Sequence, residues 1–253
     1  MDFRLTAAQR RVQEGLRAFA ERELLPIAGE LDRRRQFAAE PVRRLAALGV
    51  LGMTLPESAG GAGADTVSAA LAVMELARAC ASTAVAVSVH NSLVCETVWR
   101  HGTPAQRARL LPGLTSGRCL GAFALEPPLP GLRVGRREEK LGLCASDTVE
   151  LLLEECAVPT ESRLGAEGEG LRIALGALVP GRIGIAAQAT GIGRACLEAA
   201  QRYAGERRQT GRPLGRSQAI QGKLADAATE VEAARLLTLR AAWRRDRGLP
   251  HAR

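Results

Sequence analysis

Few side chains in this sequence have the means to do chemistry. Arg207 and Arg208 stand together in GERRQTG, Arg182 sits in the short run GRIG, and His90 lies beside Ser92 and Leu93 in SVHNSL. A guanidinium presents a planar fork of N–H donors that matches phosphate oxygens, so such arginines suit a phosphate-bearing ligand. The ordinary alternatives stay open on pattern alone. Arg207 reads equally as a loop charge, Arg182 as a residue early in a helix, Leu93 and Phe123 as core, and His90 as a hydrogen-bonded helix residue without a catalytic role. Six cysteines, at positions 80, 95, 119, 144, 156 and 196, show no C-x-x-C spacing and mostly lie among apolar residues. That arrangement points to reduced, buried thiols and to no metal site.

Composition narrows the function classes. The chain has 253 residues, 46% of them hydrophobic but only 3% aromatic, a mixture that favours helices packed through small side chains over a large β-sandwich. The formal charge of +8 invites a nucleic-acid reading. Against it, the arginine runs at 33–35, 136–137, 207–208 and 244–245 are scattered, have carboxylates nearby and lack interleaved aromatics for base stacking. No nucleic-acid partner is expected. The opening MDFRLTAAQR lacks a secretory pattern and no apolar run reaches 18 residues, so a soluble, cytoplasmic protein without a membrane partner is expected.

The elements that must position those residues are mostly helical. Thr6 with Gln9, and Thr103 with Pro104 and Gln106, form capping boxes that open helices. The first helix is expected to be interrupted at Pro26, with a short second piece to Arg34, and the Thr103 helix is expected to end near Leu111. Pro41 suits a first turn and Gly49 a stop; further helices are expected over 66–79 and 82–100. After Gly117 the period changes, and RCLGAFAL and TVELLLEECAVP read as strands at about 119–125 and 148–156, with a third near 132–135. So small a sheet must lean on the helices. Helical period returns from Gly168, is expected to break at Pro180 and Gly181, and resumes to Glu206; a loop, RRQTGRPLGR, then leads to a last helix over 217–247. The fold class is mainly α, divided at 1–118, 119–160 and 161–253.

Several stretches, in order along nearly the whole chain, resemble the acyl-CoA dehydrogenase family, in particular its short-chain or butyryl-CoA members. They include ELARACASTAVAVSVHNSL, SGRCLGAFAL, REEKLGLCASDTVEL, GRIGIAAQATGIG, YAGERRQTGRPL and QAIQGKLADAATEVEAARLL. The resemblance implies an N-terminal helical bundle, a small remnant of a β-domain and a C-terminal pair of long helices. Family chains continue from the F-A-L segment through T-E-P, A-G-S-D and W-I-T-N before a P-G-L segment. Here Leu125 passes to Glu126 and Pro127, and Pro130, Gly131 and Leu132 already match the later segment.

The resemblance further implies FAD as cofactor, an acyl-CoA substrate, an electron-transferring flavoprotein as acceptor and a homo-oligomeric assembly. Phe123, Ala124 and Leu125 are expected to approach the flavin ring, and Arg207 its diphosphate, that of a neighbouring subunit. Thr210 stands where the family has a stacking Phe, and Gln218 is a further polar contact to the cofactor. Ser92, Leu93 and Arg182 are expected to line the acyl-CoA site, with Val179 where a family Asp commonly precedes the G-R pair. No catalytic residue is assigned. Some relatives carry the catalytic glutamate just before the helix arginine, a position that is Gly181 here, and the other branch carries it in an E-G-T segment that would lie beyond Arg253. Glu198, Glu206, Asp226, Glu230 and Glu232 read as solvated charges, so little or no turnover is expected of the chain alone. A non-catalytic helical protein that associates through uncovered helix faces is the alternative.

Overall fold

A computed structural model describes residues 3–122 and 130–251. Helix α1 (Ala7–Phe19) begins as expected: Thr6 Oγ1 accepts from the Gln9 N–H at 3.2 Å, and Gln9 Oε1 accepts from the Thr6 N–H at 2.9 Å. It does not stop at Pro26. A π-helical turn, Ala20–Leu24, widens the winding and leads directly into α2 (Leu25–Arg34), where Pro26 sits in the first turn and its missing N–H breaks no regular bond. Arg35 closes α2 in the left-handed conformation, at φ 53°. Then come α3 (Ala39–Ala47), α4 (Thr66–Ala79), α5 (Ala81–Val89), a second π-helical turn (His90–Cys95) and α6 (Glu96–His101). The capping box at Thr103 opens α7 (Pro104–Thr115), which runs one turn past Leu111 and carries Pro112 inside it.

Helix α4 is the hub. Its sequence VSAALAVMELA is apolar nearly all round, and Val67, Leu71, Met74 and Leu76 are all buried because α1, α5, α8 and α9 surround it. Alanines at 70, 77, 84, 187 and 242 are buried among them, so the helices approach through small side chains. Helix α8 (Gly170–Glu206) is continuous through Pro180 and Gly181, against the expected break. A proline inside a helix removes one bond and crowds the carbonyl four residues back. Packing of α8 on α4, α5 and the His90–Cys95 turn decides the outcome against that local preference. Among the described residues α8 is also the one helix long and apolar enough to cross a membrane by length and composition; it buries Ile173, Ile183 and Ala187 in this bundle and leaves most of its other large apolar side chains uncovered.

Between the helical parts, β1 (Leu132–Arg137) pairs antiparallel with β2 (Val149–Leu153), in the register Leu132 to Leu153 and Val134 to Leu151, with an irregularity before Arg137 meets Val149. The expected third strand is thus one of the paired strands. Residues 119–122 of the expected first strand are not strand, and Phe123, Ala124 and Leu125 lie outside the described residues. An isolated hairpin is marginal in water. This one is tethered to α2: the Cys144 N–H donates to Asp32 Oδ1 at 2.9 Å, and Arg137 donates to the Arg35 carbonyl and to Asp147. After α8 the expected loop is a tight hairpin, β3 (Arg208–Gln209) and β4 (Arg212–Pro213), turning at Thr210 and Gly211, both with positive φ. Helix α9 (Gln218–Asp246) then packs along α8.

Candidate functional site

The long helix made of α5, the His90–Cys95 turn and α6 has two working faces. One meets α8. A Cβ on Gly181 would stand 3.2 Å from Leu93 Cδ2 and 3.9 Å from Ser92 Oγ, and Gly184 lies closer still to Ser88. Ser92, Leu93 and the backbone beside Arg182 therefore share one junction. Arg182 is in the middle of α8, not early in a helix, and its exposed guanidinium makes no ion pair among the described residues. The spacing that places it there also places Leu171, Leu175, Leu178, Ile185 and Ile192 on the same side, all exposed. A side chain at position 181 would need Leu93 to shift by a few tenths of an ångström.

Ser92 Oγ donates to the Ser88 carbonyl at 2.7 Å and borders a cavity of about 40 Å³, enough for a water, shared with Met53, Glu96, Ile183 and Arg245. Glu96 is a residue that the sequence reading missed. It is buried, and its Oε1 accepts from Arg100 Nε at 2.7 Å and from Arg245. Only the Arg100 half was visible in the sequence, as an i,i+4 pair; the Arg245 half comes from 149 residues away.

The opposite face of α5 borders a larger cavity of about 570 Å³. Val85, Ala86, Val89 and His90 form one wall, Phe37, Val42 and Leu51 another, and Leu120, Gly121 and Ala122 its edge, with the β2 end of the hairpin opposite. An open, largely apolar cleft of this size with a few polar groups at its margin is the usual form of a small-molecule site.

Arg207, Thr210 and Gln218 are brought to the other end of the helix pair. Arg207 follows α8, exposed, with no ion-pair partner among the described residues; Thr210 is at the hairpin tip, and Gln218 opens α9. None of the three borders the large cavity. Guanidinium groups without ion-pair partners among the described residues, on a tight hairpin, have the planar donor fork that suits phosphate oxygens. Of the carboxylates considered as bases, Glu198 and Glu232 are unsuited. Burial works to raise the Glu198 carboxyl, but the Arg78 hydrogen bond at 2.7 Å and the charges of Arg78 and Arg194 outweigh it and hold it below the usual range. The Arg235 hydrogen bond lowers Glu232 in the same way.

The N-terminal domain of acyl-CoA dehydrogenases matches residues 6–118, and the C-terminal domain residues 168–253. The mitochondrial short-chain specific acyl-CoA dehydrogenase of Mus musculus is 37% identical over 300 residues, covering 94% of this chain and 73% of its own. The chain belongs to the acyl-CoA dehydrogenase family. The short-chain specific acyl-CoA dehydrogenase of Clostridium acetobutylicum is 33% identical and covers 99% of this chain and 82% of its own. The solved butyryl-CoA dehydrogenase of Megasphaera elsdenii superposes with a TM-score of 0.95 at 32% identity, over 100% of this chain and 83% of that one. Family members are FAD-dependent flavoproteins. The 300-residue span aligned with the mouse enzyme exceeds the 253 residues of this chain, so that relative carries residues inside the matched span that this acyl-CoA dehydrogenase homologue lacks.

Proposed function

We propose that the chain is an acyl-CoA dehydrogenase-type flavoprotein that binds FAD and short-chain acyl-CoA, with α,β-dehydrogenation as the reaction of its lineage and an electron-transferring flavoprotein as acceptor. The carrying observation is the junction where Leu93 and Ser92 meet Gly181, which joins two distant parts of the sequence beside a guanidinium with no ion pair among the described residues. Leu93 and Val89 supply apolar walls for a short acyl chain. Arg182, exposed among apolar neighbours, orients an anionic portion of the ligand. Arg207 holds diphosphate oxygens, with Gln218 as a neighbouring polar group. When bound, the flavin accepts the hydride that leaves the β-carbon. Removal of the α-proton requires a carboxylate free to accept it, and neither Glu96, held by two arginines, nor Glu198 answers that need. Turnover by this chain alone is therefore expected to be lower by about 10² to 10⁴ than with a base in place.

The test is to purify the chain, record its visible flavin bands and add butyryl-CoA. Bound FAD with little bleaching is expected; stoichiometric FAD bleached rapidly by butyryl-CoA would refute the low turnover, and absence of FAD binding would refute the flavin reading. A second reading, a non-catalytic protein that associates with itself, is favoured by the exposed line of Leu171, Leu175, Leu178, Ile185 and Ile192 along α8.

A further inference from the structure

His90 is 1% exposed and opens the π-helical turn His90–Cys95. Both ring nitrogens face backbone. The Gly121 N–H donates to Nδ1 at 3.1 Å, and Nε2 lies 3.2 Å from the Leu114 carbonyl oxygen at the end of α7. A backbone N–H only donates and a carbonyl only accepts, so the ring is neutral with its proton on Nε2. Cys95 Sγ stands 3.3 Å from the same nitrogen, and burial pushes its thiol up to about 12, which keeps it uncharged. The turn holds Gly121 a second way: a Cβ there would overlap Val94. Gly121 and Ala122 edge the large cavity.

We infer that His90 is a positioning residue whose neutral imidazole fixes the backbone at Gly121, at the cavity edge two residues before Phe123, and that protonation of the ring releases it. An imidazolium carries N–H on Nδ1, and two donors cannot share one bond, so the Gly121 amide loses its acceptor. Burial lowers the His90 pKa against the opposing bond to Leu114, which confines release to acid below the ordinary histidine range. The groups facing the ring favour this simple behaviour. Leu114 offers only a carbonyl, the walls at Phe37, Val42 and Leu51 are apolar, and the cavity's other ionisable group among the described residues, Asp147, is already bound by Arg137. The consequence for cofactor binding rests on the flavin reading above; the clasp itself does not.

Nitrogen NMR of the full chain at pH 7.5 should show Nδ1 unprotonated and Nε2 protonated. Gly121 amide exchange, corrected for intrinsic pH dependence, should lose about tenfold protection between pH 7.5 and a pH below the His90 titration, located by the same ring-nitrogen signals, while the Leu71 amide keeps its own. His90→Phe should lose that protection at pH 7.5, whereas His90→Gln, which offers an acceptor and a donor without titrating, should keep it at both. FAD affinity, read by flavin fluorescence, should fall about tenfold in His90→Phe. A proton on Nδ1 at pH 7.5, or Gly121 protection unchanged once the ring-nitrogen signals show His90 protonated in the natural chain, overturns the clasp even if the variants do not fold. If the natural chain binds no FAD while Gly121 behaves as described, the flavin reading fails and the clasp stands.

Discussion

Glu75 is a carboxylate with 1% exposure in an otherwise apolar helix, and it survives there because donors surround it. Arg17 Nη2 and Gln13 Nε2 each donate to Oε1 at 2.9 Å, Arg17 Nε donates to Oε2 at 3.1 Å, and Arg194 Nη1 reaches Oε1 at 3.3 Å. The bond to Glu75 in turn raises the Arg17 pKa. Glu75→Gln leaves the Arg17 guanidinium without its carboxylate partner while Arg194 keeps Glu198, and a loss of about 2 kcal/mol is expected in urea denaturation. The thiols divide by environment. At pH 8 a maleimide should modify the exposed Cys119 rapidly and leave the buried Cys80 and Cys95 intact until unfolding. His90 gives stability a pH dependence of definite sign. Its folded pKa is below that of the unfolded chain, so the unfolded state takes the proton first. Stability is whole above about pH 6.5 and declines as pH falls through the folded value, which thermal melts from pH 8 to pH 5 will show.

Elements meet here through glycine and alanine as much as through large side chains. A Cβ on Gly191 would overlap the Met74 carbonyl and stand 2.8 Å from Ala77 Cβ, so α8 can lie against α4 only with glycine at that point. Gly191→Ala is expected to destabilise by about 1–3 kcal/mol through forced separation of the two helices. Gly222, in α9 with nothing within 4 Å of its would-be Cβ, is the control: alanine there should stabilise by about 0.5–1 kcal/mol in the same denaturation series. The sign of these two changes depends on tertiary neighbours, since both glycines occupy ordinary helix interior.

At the scale of the whole molecule, α8 and α9 are half-covered. Tyr203 and Leu237 are exposed along with the apolar line that includes Leu175 and Ile185, more apolar surface in one place than isolated chains usually leave in water. Self-association that covers α8 is expected, and light scattering after gel filtration should report an oligomer. Leu175→Glu combined with Leu178→Glu should shift it to a smaller species; an unchanged mass in the variant counts against α8 as the interface.

Local chemistry decided much of this protein in advance. Thr6 and Thr103 start helices because their side chains satisfy nearby N–H groups, and the apolar run of α4 declares its own burial, so those elements were legible residue by residue. The resemblance likewise carried the family. Pro26, Pro112 and Pro180 misled because a proline's local penalty is small beside the packing gained when a helix continues across a core. The strand partners, the Arg245 bond to Glu96 and the grip of His90 on Gly121 join residues far apart in sequence, and only the tertiary structure could bring them together.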